Sequence, residues 1–152
     1  MKKITIAVLA GIIGTVVMTV VMMVGSMMGI PKMSPPNMLS EMLGIPVAMG
    51  WMMHFMIGIV FAFSYVFLFD RLLKISNRYL KGAVFGMLVF VFAQIVMAIM
   101  PTPKMEGSMV LIAIGSIMGH IIFGIAVTLT AGNAYCSKKC CQTNKYSIQR
   151  HE

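Results

Sequence analysis

Two of the chain's three histidines, His54 and His120, fall inside apolar runs long enough to cross a membrane. A titratable side chain at that depth is costly and usually has a partner or a task. Both sit in one local pattern: Met52, His54, Gly58, Ile59 and Met118, His120, Gly124, Ile125 share their spacing. Two imidazoles facing each other between helices can bind a metal or haem, or carry protons. The plainer reading stands beside it: each ring hydrogen-bonds a Ser, a Thr or a backbone carbonyl and only holds helix register. No intramembrane carboxylate, Glu-x-x-His or His-Glu-x-x-His accompanies them. That argues against a zinc hydrolase and against an acidic proton relay. No nucleophile–base pair or acid pair is visible, so an enzyme ranks behind a binding protein or a non-catalytic membrane subunit.

The chain carries 19 methionines. Thioethers are soft ligands suited to Cu(I), and Met52, Met53 and Met118 lie close to the histidines in sequence. Met49/Met53 and Met52/Met56 have the Met-x3-Met spacing of high-affinity copper permeases. That likeness is local, since those permeases are trimers of three-span chains. Against it, methionine is a flexible filler of apolar gaps. Cys136, Cys140 and Cys141 form a second soft cluster near the C-terminus. They could hold Cu(I) or zinc, but they lack the paired Cys-x-x-Cys knuckles of a structural zinc site, and spare thiols on a tail are the plainer reading.

The elements that must position these groups follow from composition. Hydrophobic residues make up 59% of the chain and charged residues only 11%, against about 25% charged in a soluble domain. Four apolar segments emerge: about 4–30, 47–69, 82–100 and 108–131, with a polar, basic stretch at 132–152. The first is too long for a signal peptide's apolar region and has no convincing cleavage site. Between the first two, Ser34 suits a helix N-cap, Pro35 the first position and Gly44 the end of a short amphipathic helix. Met38, Leu39, Met42 and Leu43 would form its apolar face, and Asn37, Ser40 and Glu41 its polar face, as in a helix lying in the interface plane.

The net charge is +8. Ten of the 12 Lys and Arg lie before the first span, between the second and third, or after the fourth. By the positive-inside rule both termini then face the cytoplasm. The basicity suits anionic headgroups, and no nucleic-acid-binding module is present. The expected partners are the lipid bilayer and either a second copy of the chain or a membrane partner protein. With this orientation sixteen of the nineteen methionines lie towards the outer side.

The halves resemble each other. Pro31-Lys32-Met33 returns as Pro103-Lys104-Met105, and Gly14, Val17 and Met28 match Gly86, Val89 and Met100 at an offset of 72. Past the loop the offset is 66, pairing Met52, His54 and Gly58 with Met118, His120 and Gly124. Two spans per half keep both halves in one orientation, which makes a parallel repeat. Residues four apart share a helix face. Gly50, Gly58, Ser116 and Gly124 therefore flank the histidines as small residues suited to helix packing.

Several runs together carry a family resemblance: Gly14-Thr-Val-Val-Met-Thr, Met28-Gly-Ile-Pro, Met38 to Gly44, Gly50-Trp-Met-Met-His-Phe-Met-Ile-Gly, Lys81-Gly-Ala-Val-Phe-Gly and Gly119-His-Ile-Ile-Phe-Gly. The chain resembles a family of small bacterial four-helix membrane proteins of unknown function over residues 4 to 131. The resemblance implies a four-span fold in a bacterial cytoplasmic (inner) membrane, and no reaction or ligand. The expected fold is all-α: a four-helix transmembrane bundle of two parallel-related hairpins, with a short interfacial helix in the first outer loop. Its candidate site is His54 and His120, with copper or haem as the candidate ligand.

Overall fold

The structure is a computed structural model that describes residues 2–28, 34–72, 75–100 and 108–148, with side chains described as far as residue 132. The described residues form helices joined by short non-helical links: α1 (Lys2–Met27), α2 (Pro35–Leu43), α3 (Val47–Ser64), a π-helical turn (Tyr65–Phe69), α4 (Asp70–Leu72), α5 (Arg78–Ile99) and α6 (Met109–Ile148). Four stretches are long and apolar enough to cross a membrane: Lys3–Met27, Val47–Leu72, Arg78–Ile99 and Met109–Gly132. Their surfaces carry many exposed large hydrophobic side chains, as lipid contact requires. The chain is a multi-pass membrane protein by this measure.

Several boundaries differ from the sequence expectation: α1 ends at Met27 rather than near 30, and the second apolar stretch runs to Leu72 rather than 69. α5 begins at Arg78 rather than near residue 82, because Asn77 caps it: its side-chain oxygen accepts from the amides of Tyr79 (3.0 Å) and Leu80 (3.4 Å). Asn is a strong N-cap residue, and basic side chains are tolerated at a membrane helix end, where their charge reaches water. α6 does not stop near 131 but continues as helical backbone to Ile148. The Pro31-Lys32-Met33 and Pro103-Lys104-Met105 segments lie outside the described residues, and so do the side chains of Cys136, Cys140 and Cys141.

α1 packs against α3 and α6, α5 packs against α6, and α2 packs against α3. The helices thus follow the spatial order α3, α1, α6, α5. Glycines set the closest approaches. Gly11 lies against the backbone of Ile59, and Gly82 against that of Ile125, each with a would-be β-carbon only 2.6 Å from the facing Cα. Close backbone approach through small residues replaces the hydrophobic effect, which cannot drive helix association in lipid.

The core is concentrated at one end. Ile6, Ala7, Ala10, Ala62, Tyr65, Val66, Phe85, Phe123, Val127 and Ala131 are buried there. Tyr65 and Phe85 meet with ring centroids 4.9 Å apart, and Phe69 stands 5.3 Å from Phe85. The π turn contributes by bringing both Tyr65 and Val66 into the core. Lys81 closes this end, with its ammonium 2.7 Å from the Asp70 carboxylate and 3.0 Å from the Asp70 carbonyl. The other end, beside α2, is hollow.

Candidate functional site

The hollow is a cavity of about 410 Å³ bordered by all four spans and α2. His54 and His120 both border it, and among the described residues none that lines it carries a carboxylate, an ammonium or a guanidinium. Among the described residues, Thr15, Gln94 and Ser116 supply its other polar side chains, and six methionines line it: Met18, Met22, Met38, Met42, Met97 and Met109.

Each histidine is placed by a close helix contact one turn away. On α3, Gly58 faces the Thr15 hydroxyl of α1. The two helices run in opposite directions, so one turn back from Gly58 and one turn on from Thr15 bring His54 to Thr19. His54 Nε2 and Thr19 Oγ1 are 3.4 Å apart, a long hydrogen bond. On α6, the carbonyl oxygen of His120 lies against Gly86 of α5. One turn on from Gly86, Phe90 meets the His120 ring edge to face, with centroids 5.7 Å apart.

The hydrogen bonds assign the ring nitrogens. His120 Nδ1 is 2.7 Å from the Ser116 carbonyl oxygen. A carbonyl only accepts, so Nδ1 carries the hydrogen, and Nε2 of the uncharged ring keeps a free lone pair. Thr19 gives its single hydroxyl hydrogen to the Thr15 carbonyl at 2.8 Å. Its oxygen can then only accept from His54 Nε2, which leaves His54 Nδ1 with the free lone pair. Each ring therefore offers one bare nitrogen while the other is held by the protein. Metal-binding histidines are oriented in this way by the partner of their second nitrogen.

The methionines nominated by sequence proximity are placed elsewhere. Met52 and Met118 are exposed on the helix surface, at 66% and 46%, and Met53 is half-buried. None of the three lines the cavity. The reason is angular: a residue one or two positions from a histidine on a helix points 100° to 200° away from it. Met18 and Met22 come from α1 instead. A β-carbon on Gly119 would meet Met22 Sδ at 3.1 Å and Met18 Cε at 3.4 Å, so these side chains lie over the residue next to His120.

Among the small residues, Gly58 lies against Thr15, and Gly124 lies against Gly82 and Gly86. Gly50 has α2, not another span, as its nearest neighbour. It lies against the Pro36 carbonyl and 3.2 Å from Ser40 Cβ, so it seats α2. Ser116 lines the cavity and holds His120 through its carbonyl. Ser40, placed on the polar face of α2 by pattern, is buried and donates to the Ile45 carbonyl at 2.6 Å. α2 starts after an extended Ser34, with Pro at its first two positions, and ends at Gly44 with φ 62°, a left-handed conformation that glycine adopts without strain.

Among the described residues, no group of three or more His, Cys, Asp or Glu is placed to hold a metal. A metal between the two imidazoles would have to take its remaining ligands from thioethers. The family comparison adds the chain's affiliation: it belongs to the family of unknown function DUF6789, whose pattern matches residues 1–139. No curated protein and no solved structure matches the chain.

Proposed function

We propose that this DUF6789 member is a non-enzymatic membrane protein that binds Cu(I) in the cavity, with His54 Nδ1 and His120 Nε2 as nitrogen ligands. The observation that carries the reading is the pair of imidazoles, each held by the protein through one nitrogen, that border one cavity whose other soft donors are thioethers. Neutral nitrogen and sulfur donors select a soft ion, whereas Mg²⁺ and Ca²⁺ need oxygen ligands. The described lining residues carry no carboxylate, which also favours low charge. The Born cost of burying an ion rises with the square of its charge, so a monovalent ion costs about a quarter of what a divalent one does.

Haem is the second reading, favoured by the cavity's volume, which far exceeds the space of a single ion. The same preparation tests both. Protein purified in detergent is titrated with Cu(I) against a chromogenic competitor, and its absorption spectrum is recorded. Wild type should bind one Cu(I), and His54→Ala with His120→Ala should weaken binding by more than about 100-fold, beyond the usual outer-sphere loss. A Soret band lost in the double variant would replace copper with haem. Equal copper binding by wild type and double variant, with no haem, would leave the histidines a purely structural role.

The wider arrangement belongs to the same proposal. We read the chain as two parallel-related hairpins with both termini in the cytoplasm of a bacterium, the cavity opening to the outer side. Support comes from the matched seats of Gly58 on α1 and Gly124 on α5, each four residues from a cavity histidine. Reporter fusions at the two termini test the orientation: an externally active reporter at either end would overturn it.

A further inference from the structure

The cavity's thioethers fall into a rim set and a deeper set. Four thioethers stand at the α2 end. Met38 and Met42 lie four residues apart on α2 and both line the cavity; Met97 lies two residues before the end of α5, and Met109 begins α6. Met109 is 77% exposed, which marks this as the rim. Below it, Met22 is five residues from the end of α1 and Met18 nine, or about 8 and 13 Å down at 1.5 Å per residue. His54 is seven residues inside α3 and His120 eleven inside α6, about 10 and 16 Å down. The four rim thioethers thus come first, and Met22 and Met18 lie at the depth of the two histidines, over Gly119 beside His120.

We infer that Met38, Met42, Met97 and Met109 form a capture rim that takes Cu(I) at the α2 end and passes it inward to His54 and His120, with Met22 and Met18 beside them. This rests on the copper reading above and adds the side of entry and the residues that set its rate. Each transfer is a ligand exchange: a copper–sulfur bond breaks as the next copper–sulfur or copper–nitrogen bond forms. Copper stays in the +1 state, and no electron is needed. No proton leaves either, because each receiving nitrogen already holds a lone pair while its ring hydrogen is on the other nitrogen. A bare cation crossing about 10 Å of apolar wall would meet a large desolvation barrier. Successive soft ligands lower that barrier in small steps.

α2 is built for a rim role. Two prolines start it, Gly44 stops it, and Gly50 fixes it to α3 through the Pro36 carbonyl. That seat turns Met38 and Met42 over the cavity instead of out into lipid or water.

The test is loading kinetics on the full chain in lipid nanodiscs. Cu(I) is presented as its bicinchoninate complex without oxygen, and loss of the complex's colour is followed by stopped flow. Replacing all four rim residues by leucine conserves volume and should leave the fold intact. The expected result is loading slowed at least about tenfold, with final occupancy unchanged. The Met38→Leu/Met42→Leu pair alone should show part of the slowing, and Met52→Leu/Met118→Leu, on the outer helix surface, none. A four-leucine variant that loads at the wild-type rate overturns the rim while leaving the histidine site standing. A wild type that takes up no Cu(I) overturns the copper reading and the rim with it.

Discussion

The hydroxyl oxygen of Thr15 occupies the space that a β-carbon on Gly58 would need. Thr15 is fixed there because its hydroxyl donates to the Gly11 carbonyl at 2.8 Å, and it is buried. Gly58→Ala should therefore push α1 and α3 apart and cost about 1–3 kcal/mol, the usual range for overpacking. Thermal unfolding in detergent measures the loss. Gly58→Ala combined with Thr15→Ala should recover most of it, which a general helix-propensity effect would not allow.

Gly124 meets backbone atoms of Gly82 and Gly86. Backbone cannot rotate away as a side chain can. Gly124→Ala should be the more damaging substitution, beyond about 3 kcal/mol, with no single compensating partner. Equal stabilities for Gly58→Ala and Gly124→Ala would show that these seams relax more freely than their contacts imply.

Gly50 predicts a different outcome, because its neighbour is α2 and not a span. Gly50→Ala should release α2 while the four spans stay folded. Hydrogen exchange in the Pro35–Leu43 segment should rise while the spans keep their protection. Loss of protection in the spans would refute this division.

Thr19 separates positioning from ligation. Its oxygen is the acceptor that keeps the hydrogen on His54 Nε2. Thr19→Val keeps the shape and removes the acceptor. Cu(I) affinity should fall about 10- to 100-fold, with stability changed far less than by Gly58→Ala. Thr19→Ser, which restores an oxygen, should restore most of the affinity.

At the opposite end, Asn77→Ala removes both cap bonds to Tyr79 and Leu80. Thermal unfolding should show a loss of about 1 kcal/mol, and Asn77→Asp should retain the cap.

The four spans were legible because apolar length is a strong signal in a chain with so few charges. The α2 segment was legible from Ser34-Pro35 at its start and Gly44 at its end. The start of α5 was not, because Arg78 and Lys81 read as loop charges and no apolar residue directly follows Asn77 to set it apart as a cap. The inward face of each span was the hardest to read. Helices that are apolar all round carry no contrast between core and lipid, so periodicity cannot choose a side. His54 and His120 stood out as polar exceptions. Met18, Met22, Met97 and Met109 did not, since a cavity-facing methionine and a lipid-facing one look alike in sequence. Gly50 looked like Gly58 for the same reason, and only the fold distinguishes their partners.

The π turn at Tyr65–Phe69 has a consequence for insertions and deletions. A π turn holds one residue more than an α turn would, so it has the form of a single-residue insertion that the fold has kept. Deleting Phe67 would return a plain helix, and because the wide turn absorbs the extra residue, Asp70 would keep nearly its present phase towards Lys81. The clasp at the packed end should therefore tolerate the deletion, and the loss should fall on the joint burial of Tyr65 and Val66. A lineage could gain or lose this residue without giving up the aspartate. A Phe67 deletion in which Asp70→Asn no longer lowers the unfolding temperature would break that reading.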